Sequence, residues 1–139
     1  MTDDPYATIL DRAADSPLGR HLGWRYRSMA EDEAVLELPF APHNTTVGPM
    51  VHGGAIAALA DAAATAAAWA KLDLEPTLRG STLGFSINYL EPAVETSLTA
   101  TARVVRRGRS VVVVGVDVHD DRGKRVAQAS VTYKFTRPG

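Results

Sequence analysis

The sequence predicts an α+β fold in which one long helix packs against an antiparallel β-sheet. Two stretches of alternating apolar and polar residues precede an alanine-rich stretch at about 54–70, and four more alternating stretches follow it. Short turns at 106–109 and 120–123 connect the last three of these stretches and are typical of β-hairpins. The 139 residues contain no repeat or linker, so we expect a single domain spanning residues 1–139.

Each element has its own sequence signal. Apolar residues on one face predict a short N-terminal helix at about 5–14, and breaker residues predict a loop at 41–51. The valine run SVVVVGVDV is apolar on both faces at its start and predicts a central strand covered on both sides. At 1.5 Å per residue, the alanine-rich helix is roughly 25 Å long. The alternating stretches predict strands at 22–27, 34–40, 81–90, 97–105, 110–118 and 125–136.

Composition narrows the class of protein. The chain has 15 Lys and Arg residues against 16 Asp and Glu residues, which argues against a nucleic acid or an anionic membrane as partner. There is no cysteine, which excludes disulfides and thiolate metal sites. The uncharged stretches at 53–60 and 62–70 are too short to span a bilayer, and the first residues lack a signal-peptide pattern. We therefore expect a cytoplasmic protein.

The alanine-rich helix carries a single carboxylate. Asp61 is the one ionisable residue between His52 and Lys71, and the helix is apolar all round. Such a helix is buried on nearly all sides, which we expect the sheet and a partner subunit to achieve. Burying an unpaired carboxylate is costly, so Asp61 either has a hydrogen-bonding partner or serves chemistry. Thr65 follows one turn later on the same face and could help to hold a water molecule.

The tripeptide His52-Gly53-Gly54 stands where this helix begins. We expect the N–H groups of Gly53 and Gly54 to lack intrahelical partners, and glycine lets a ligand approach the backbone closely. The positive end of the helix dipole would favour a developing oxyanion there. The pattern therefore predicts an oxyanion site and a carboxylate base on one helix. A second interpretation of His52 is a side chain that bonds a nearby carbonyl at the helix start.

The segments His52-Gly53-Gly54 and Leu59-Ala60-Asp61, together with three further segments, resemble the PaaI-type hotdog-fold thioesterases. The further segments are Gly48, Tyr89-Leu90-Glu91-Pro92-Ala93 and residues 123–127, and the resemblance runs from residue 22 to 135. It implies the hotdog fold, a homodimer doubled to a homotetramer, and active sites at the dimer interface. It also implies hydrolysis of aryl- or short- to medium-chain acyl-coenzyme A (acyl-CoA) to free acid and CoA, with no metal or cofactor.

The resemblance also assigns roles to residues. The Gly53 N–H would polarise the thioester carbonyl, His52 and Gly54 would help to place the substrate, and Asp61 of the other subunit would act as general base or nucleophile. Thr82, and Thr65 as in related enzymes acting on aromatic acyl groups, would orient water.

The loop before His52 departs from the family pattern. The family often has an Asn six residues before the histidine, where this chain has Thr46. Asn44 lies eight residues before it and is the candidate for the same contact with the substrate. The spacing indicates one extra residue in this loop.

An arginine cluster at the turn after residue 105 has two interpretations. Arg106, Arg107 and Arg109 could bind the phosphates of CoA. Hairpin turns also often carry solvated arginines that bind nothing.

Two other functions stay open. Dehydratases share this fold, but dehydration needs a histidine base, whereas this helix carries an aspartate and no Asp-x-Asn-x-x-His pattern is present. A non-catalytic acyl-CoA-binding protein would keep the pocket but would not need Asp61. Activity towards acyl-CoA separates these possibilities.

Overall fold

A computed structural model of the chain describes residues 4–9 and 15–138. The main helices are α1 (Pro17–Leu22) and α2 (Gly53–Trp69), with a short 3₁₀ helix at Pro42–Asn44. Residues 7–9 are helical as predicted, residues 5 and 6 form a turn instead, and the part of the predicted N-terminal helix at 10–14 lies outside the described residues. The strands are β1 (Arg25–Ala30), β2 (Glu33–Leu38), β3 (Arg79–Tyr89), β4 (Leu98–Arg107), β5 (Val111–Asp120) and β6 (Arg125–Thr136).

The six strands form one antiparallel sheet in the order β1-β2-β4-β5-β6-β3. After α2 the chain crosses to the far side of the sheet, where β3 pairs with β6 from Arg79↔Thr136 to Tyr89↔Ala127. The strands β1 and β3 are therefore the two edges of the sheet. Helix α2 packs across one face and contacts β2 to β6. The predicted α+β architecture is confirmed.

The core lies between α2 and the sheet. Every second residue of the central strands points to the helix and is almost fully buried, as alternation requires. The largest of these side chains are Leu36, Leu38, Leu98, Val112, Val114, Val116, Val118, Val126 and Val131. On the helix side, Ala60, Ala63, Ala64 and Ala67 have no exposed surface. Because alanine is small, the helix approaches the sheet closely.

One stripe of α2 faces away from the sheet. Ala57, Ala58, Asp61, Ala62 and Thr65 are half-buried, while the other helical positions between Ala55 and Ala68 are buried. The predicted burial on nearly all sides is thus incomplete in a single chain. The valine run in β5 differs from its prediction in the same way: Val112 and Val114 are buried, but Val111 is exposed and Val113 half-buried.

The predicted strand at 22–27 is wrong in its first residues, because Pro17–Leu22 forms α1. Ser16 caps this helix by accepting a hydrogen bond from the Gly19 N–H at 3.0 Å, and Pro17 is its first residue. Gly23, in the left-handed conformation with φ of 93°, ends it. The capping residues therefore outweigh the alternating pattern that begins at Leu22, and the strand begins only at Arg25.

In the described part of the chain, no helix is both long and apolar enough to cross a membrane.

Candidate active site

The start of α2 has one unused backbone donor. His52 is the N-cap residue, and its Nδ1 accepts a hydrogen bond from the Gly54 N–H at 2.8 Å. Its carbonyl accepts from the N–H groups of Ala55 and Ile56 at 2.9 and 3.1 Å. As predicted, the Gly54 N–H has no intrahelical partner in the described part of the chain, but it is not free, because the His52 side chain turns back onto it. Among the described residues, the Gly53 N–H is the first-turn donor left without a hydrogen-bonding partner.

The His52 ring is fixed by this contact. Because Nδ1 accepts a hydrogen bond, a neutral ring carries its proton on Nε2. The backbone N–H of His52 donates to the Asn44 carbonyl at 2.7 Å, which anchors the residue to the preceding loop. The imidazole is exposed and lines a cavity, so His52 offers an Nε2 donor beside the free Gly53 N–H. Within residues 4–9 and 15–138 the His52 ring bonds no carbonyl, in contrast to the second interpretation of this residue.

Gly53 is also contacted by the last residue of β3. The Tyr89 hydroxyl donates a hydrogen bond to the Gly53 carbonyl oxygen at 2.6 Å. A Cβ atom added to Gly53 would lie 3.2 Å from Tyr89 Cζ, so the ring covers the glycine Cα. Sequence reasoning gave Tyr89 no role, although the residue belongs to the Tyr-Leu-Glu-Pro-Ala segment that carries the resemblance.

Asp61 lies on the half-buried stripe of α2, next to the beginning of β3. Its Oδ1 accepts a hydrogen bond from the Thr82 hydroxyl at 2.8 Å, across 21 residues of sequence. The structure thus brings together two residues that the resemblance assigned to water activation. Thr65, one turn further along α2, is half-buried on the same stripe. Burial raises the pKa of Tyr133 in the neighbouring strand β6, and the negative charge of Asp61 raises it further.

Asp61 and Gly53 do not meet within one chain. They lie eight residues apart on the same helix, a separation of about 12 Å along its axis. Their contacts on β3 diverge as well, because Thr82 is near one end of that strand and Tyr89 is at the other. Within one chain the two groups are therefore too far apart to act together on one small reacting centre.

Asn44 lies behind His52 and is buried. Its Nδ2 donates to the Leu22 carbonyl at 2.7 Å, and the neighbouring His43 Nε2 bonds the His21 carbonyl at 2.8 Å. Both side chains thus satisfy carbonyls at the end of α1. Within the described residues, Asn44 Oδ1 has no hydrogen-bonding partner. The prediction that Asn44 contacts the substrate stays a prediction, and the bond to Leu22 leaves its amide nitrogen one of two hydrogens for that contact.

A cavity of about 280 Å³ adjoins these residues. Its walls combine the exposed ring of His52 and the backbone of Gly54 with apolar side chains from α1 and α2. The lining residues are Leu18, Leu22, His43, Asn44, Thr45, His52, Gly54, Ala55 and Ala58.

The three arginines of the predicted turn lie at the other end of α2. The turn is shorter than predicted, because β4 extends to Arg107. The Arg107 Nη2 donates to the Ala68 carbonyl at 3.0 Å, and its Nε donates to Asp32 Oδ1 at 2.9 Å. Arg107 is mostly buried and caps the C-terminus of α2, which is a structural role. Arg106 and Arg109 are exposed, and their binding to phosphate stays a prediction.

An unused N–H donor at a helix start and a threonine-bound carboxylate are groups suited to hydrolysis of a polarised carbonyl compound. The sequence profile of the thioesterase superfamily matches residues 48–127, which include both groups. The chain belongs to this superfamily and is a thioester hydrolase.

Two curated relatives show the extent of the similarity. A Deinococcus radiodurans protein is 33% identical over 117 residues, which are 83% of this chain and 71% of that protein. The medium/long-chain acyl-CoA thioesterase YigI of Escherichia coli is 28% identical over 132 residues and is matched over 84% of each chain.

Solved structures share the fold. The E. coli PaaI protein superimposes with a TM-score of 0.74 at 25% identity, covering 84% of this chain and 86% of that chain. A Streptococcus pneumoniae thioesterase solved with coenzyme A superimposes with a TM-score of 0.73 at 26% identity, covering 83% of this chain and 88% of that chain. The predicted hotdog fold and the resemblance to PaaI-type thioesterases are confirmed.

Proposed function

We propose that this thioesterase hydrolyses acyl-CoA to free acid and CoA in active sites shared between two chains. The observation that carries the proposal is the pairing, on one helix, of a free Gly53 N–H with an Asp61 carboxylate held by Thr82. Acyl-CoA as substrate is supported by the name of the YigI relative and by the coenzyme A in the S. pneumoniae structure.

In the proposed reaction, the Gly53 N–H of one chain donates a hydrogen bond to the thioester oxygen and stabilises the oxyanion that forms. Thr82 occupies Asp61 Oδ1, so Oδ2 of the other chain is available to take a proton from a water molecule. The water oxygen attacks the carbonyl carbon, the C–S bond breaks, and the CoA thiolate leaves and takes up a proton. Direct attack by Asp61, giving an acyl-aspartyl anhydride that water then hydrolyses, is the second route.

The proposed dimer joins through β3. This edge strand has 11 residues, and its side chains are exposed apart from the half-buried Ile87. Leu83, Phe85 and Tyr89 have 59%, 38% and 51% of their surface exposed. A long edge strand with exposed apolar side chains is a template for pairing with another chain. The opposite edge strand, β1, has six residues and carries the charged side chains of Arg25 and Arg27, so it is the weaker candidate.

The proposed acyl group is aryl or short- to medium-chain. The cavity beside His52 has apolar walls from Leu18, Leu22, Ala55 and Ala58, and its volume of about 280 Å³ suits a group of limited size. Arg106 and Arg109 of the partner remain candidates for the CoA phosphates, because in one chain they lie at the opposite end of α2. The predicted assembly of two dimers into a homotetramer is part of the proposal.

The proposal is tested by steady-state thiol release from short-chain, long-chain and aryl acyl-CoA, on wild type and Asp61→Asn. We expect the variant to lose about 10²- to 10⁴-fold in rate, because it cannot accept the water proton. Asp73→Asn is the matched control. The Asp73 side chain is 78% exposed and lies beyond the end of α2, so this variant should retain full activity.

Three results would contradict the proposal. A wild-type protein that releases no thiol from any acyl-CoA is not an acyl-CoA thioesterase. Binding of acyl-CoA without turnover would indicate the non-catalytic binding protein. Water elimination from a 3-hydroxyacyl-CoA with the thioester left intact would indicate the dehydratase.

A further inference from the structure

The last residue of β3 fixes the peptide group that follows the proposed oxyanion donor. The peptide between Gly53 and Gly54 has its carbonyl bonded by the Tyr89 hydroxyl at 2.6 Å and its N–H bonded by His52 Nδ1 at 2.8 Å. The carbonyl and the N–H of this peptide are therefore each held by a side chain, the carbonyl by Tyr89 and the N–H by His52. The free Gly53 N–H belongs to the adjacent peptide, one rotatable residue away.

This restraint acts on a glycine, which is the residue with the widest choice of backbone conformations. The Gly53 N–H shares its peptide with the His52 carbonyl, which accepts from the Ala55 and Ile56 N–H groups. The Tyr89 bond restrains the next peptide, so the Gly53 dihedral angles are fixed from both sides. The Tyr89 ring adds a steric restraint, because its Cζ would lie 3.2 Å from a Cβ at Gly53 and so covers one side of the Cα. A donor held in place before the reaction stabilises an oxyanion better than one that must first be ordered.

Tyr89 is itself anchored to the core. Its backbone pairs with Ala127 in β6, and the next residue, Leu90, donates its N–H to the Val126 carbonyl at 2.8 Å. Val126 and Ala127 have no exposed surface. The hydroxyl contact thus transmits the position of the buried strand β6 to the start of α2.

The exposure of Tyr89 makes its contact informative. Half of its surface, 51%, is open to solvent in the single chain, and a tyrosine at such a position usually turns its hydroxyl to water. Here the hydroxyl points inward and donates to a helix carbonyl. A partly exposed hydrogen bond contributes little to the free energy of unfolding, so a role in the site explains it better than a role in stability.

We propose that Tyr89 is a positioning residue of the thioesterase reaction, which holds the Gly53 N–H in the orientation that receives the thioester oxygen. The proposal rests on the function proposed above, in which the Gly53 N–H polarises the carbonyl.

The test is Tyr89→Phe, which keeps the ring and removes the hydroxyl. We expect kcat for acyl-CoA hydrolysis to fall roughly threefold to tenfold, as for one lost hydrogen bond, while KM and Tm change little. Amide hydrogen exchange of Gly54, followed by NMR without substrate, should become faster because its peptide is released on the carbonyl side. Tyr26→Phe is the matched control, since it removes a tyrosine hydroxyl from β1 at the opposite edge of the sheet.

The outcomes separate this inference from the function on which it rests. A wild-type protein without acyl-CoA hydrolysis would overturn the proposed function. Unchanged kcat and unchanged Gly54 exchange in Tyr89→Phe would overturn the positioning role alone. A rise in KM at constant kcat would also overturn it, since Tyr89 would then be a contact for the bound substrate.

Discussion

Two variants that are each inactive should restore activity when they share a dimer. The variants are Asp61→Asn, which lacks the proposed base, and Gly53→Val, whose Cβ would be forced against Tyr89 near the oxyanion donor. In a dimer with shared sites, a mixed pair contains one site with both residues intact and one site with neither. Co-expression of the two chains, each with a different affinity tag, would allow the mixed dimer to be purified.

The structure gives the reason for expecting shared sites. Gly53 and Asp61 are about 12 Å apart along α2, and Asp61 is bonded to Thr82, near the far end of β3 from Tyr89. In the reaction, the carboxylate contacts the water, the water contacts the carbonyl carbon, and the carbonyl oxygen contacts the N–H, each over about 3 Å. These three contacts are not collinear, because water attacks the carbonyl from above its plane. The carboxylate and the N–H must therefore be closer together than the separation of about 12 Å along α2 in one chain.

The expected magnitude follows from counting sites. An equal, randomly assembled mixture contains about half mixed dimers with one working site in two, and so should reach about a quarter of the wild-type rate. Each variant alone should retain less than about 1%, as is usual on losing a base or an oxyanion donor. The assay is thiol release from the best acyl-CoA of the substrate panel.

The control combines Asp61→Asn with a chain that carries both Asp61→Asn and Gly53→Val. Every site in that mixture lacks the carboxylate, so no activity should return. If the first mixture released thiol only at the sum of the two residual rates, although mixed dimers were present, the sites would not be shared and the mechanism proposed here would be wrong.

Three further predictions concern stability. Arg107→Met should lower the free energy of unfolding by about 2 kcal/mol in chemical denaturation, because carbonyls at the end of α2 lose a charged donor. The control is Arg103→Met, which removes an arginine side chain that is 64% exposed in its ion pair and should cost less than about 0.5 kcal/mol. Equal losses in the two variants would contradict the capping role of Arg107. Burial holds the pKa of Tyr133 above its usual range, so its hydroxyl loses a proton at lower pH in the unfolded chain than in the folded one. The free energy of unfolding should therefore fall above about pH 10. Tyr133→Phe should flatten that slope, and an unchanged slope would refute the assignment. The Lys124 backbone N–H, and to a smaller extent that of Arg122, lowers the pKa of Asp120 by donating a hydrogen bond to its carboxylate. The resulting stabilisation of the fold is present above the usual carboxyl pKa and is lost as pH falls through the lowered value. Asp120→Asn should therefore reduce the fall of Tm with acid, and an equally steep fall in the variant would contradict this role of Asp120.

Local patterns were sufficient to predict most of the fold. The alanine run gave α2 to within one residue at each end, and alternation located the six strands, because both depend on neighbours in sequence. The prediction failed at α1, where the capping pair Ser16-Pro17 and the terminal Gly23 outweighed an apparent alternation. Giving the capping residues more weight than a short alternation would have identified this helix.

The site was predictable in its residues and less so in its contacts. The distinctive spacing of His52, Gly53 and Asp61 along one helix identified them, but nothing in it specified that the His52 ring would occupy the Gly54 N–H. Arg107 was grouped with its neighbours as a phosphate ligand because its partner Asp32 lies 75 residues away. Contacts across such distances depend on strand order and register, which a single sequence does not reveal.

The strand β3 links assembly to chemistry in this fold. One of its residues, Thr82, bonds the Asp61 carboxylate, and another, Tyr89, bonds the Gly53 carbonyl. The same strand is the exposed sheet edge that we propose pairs with a second chain. Pairing would restrict the motion of β3 and so restrain both contacts at once, in addition to bringing the two halves of the site together. Variants that weaken β3 pairing should therefore lower kcat more than the fraction of monomer alone accounts for, which sedimentation and kinetics on the same samples would show.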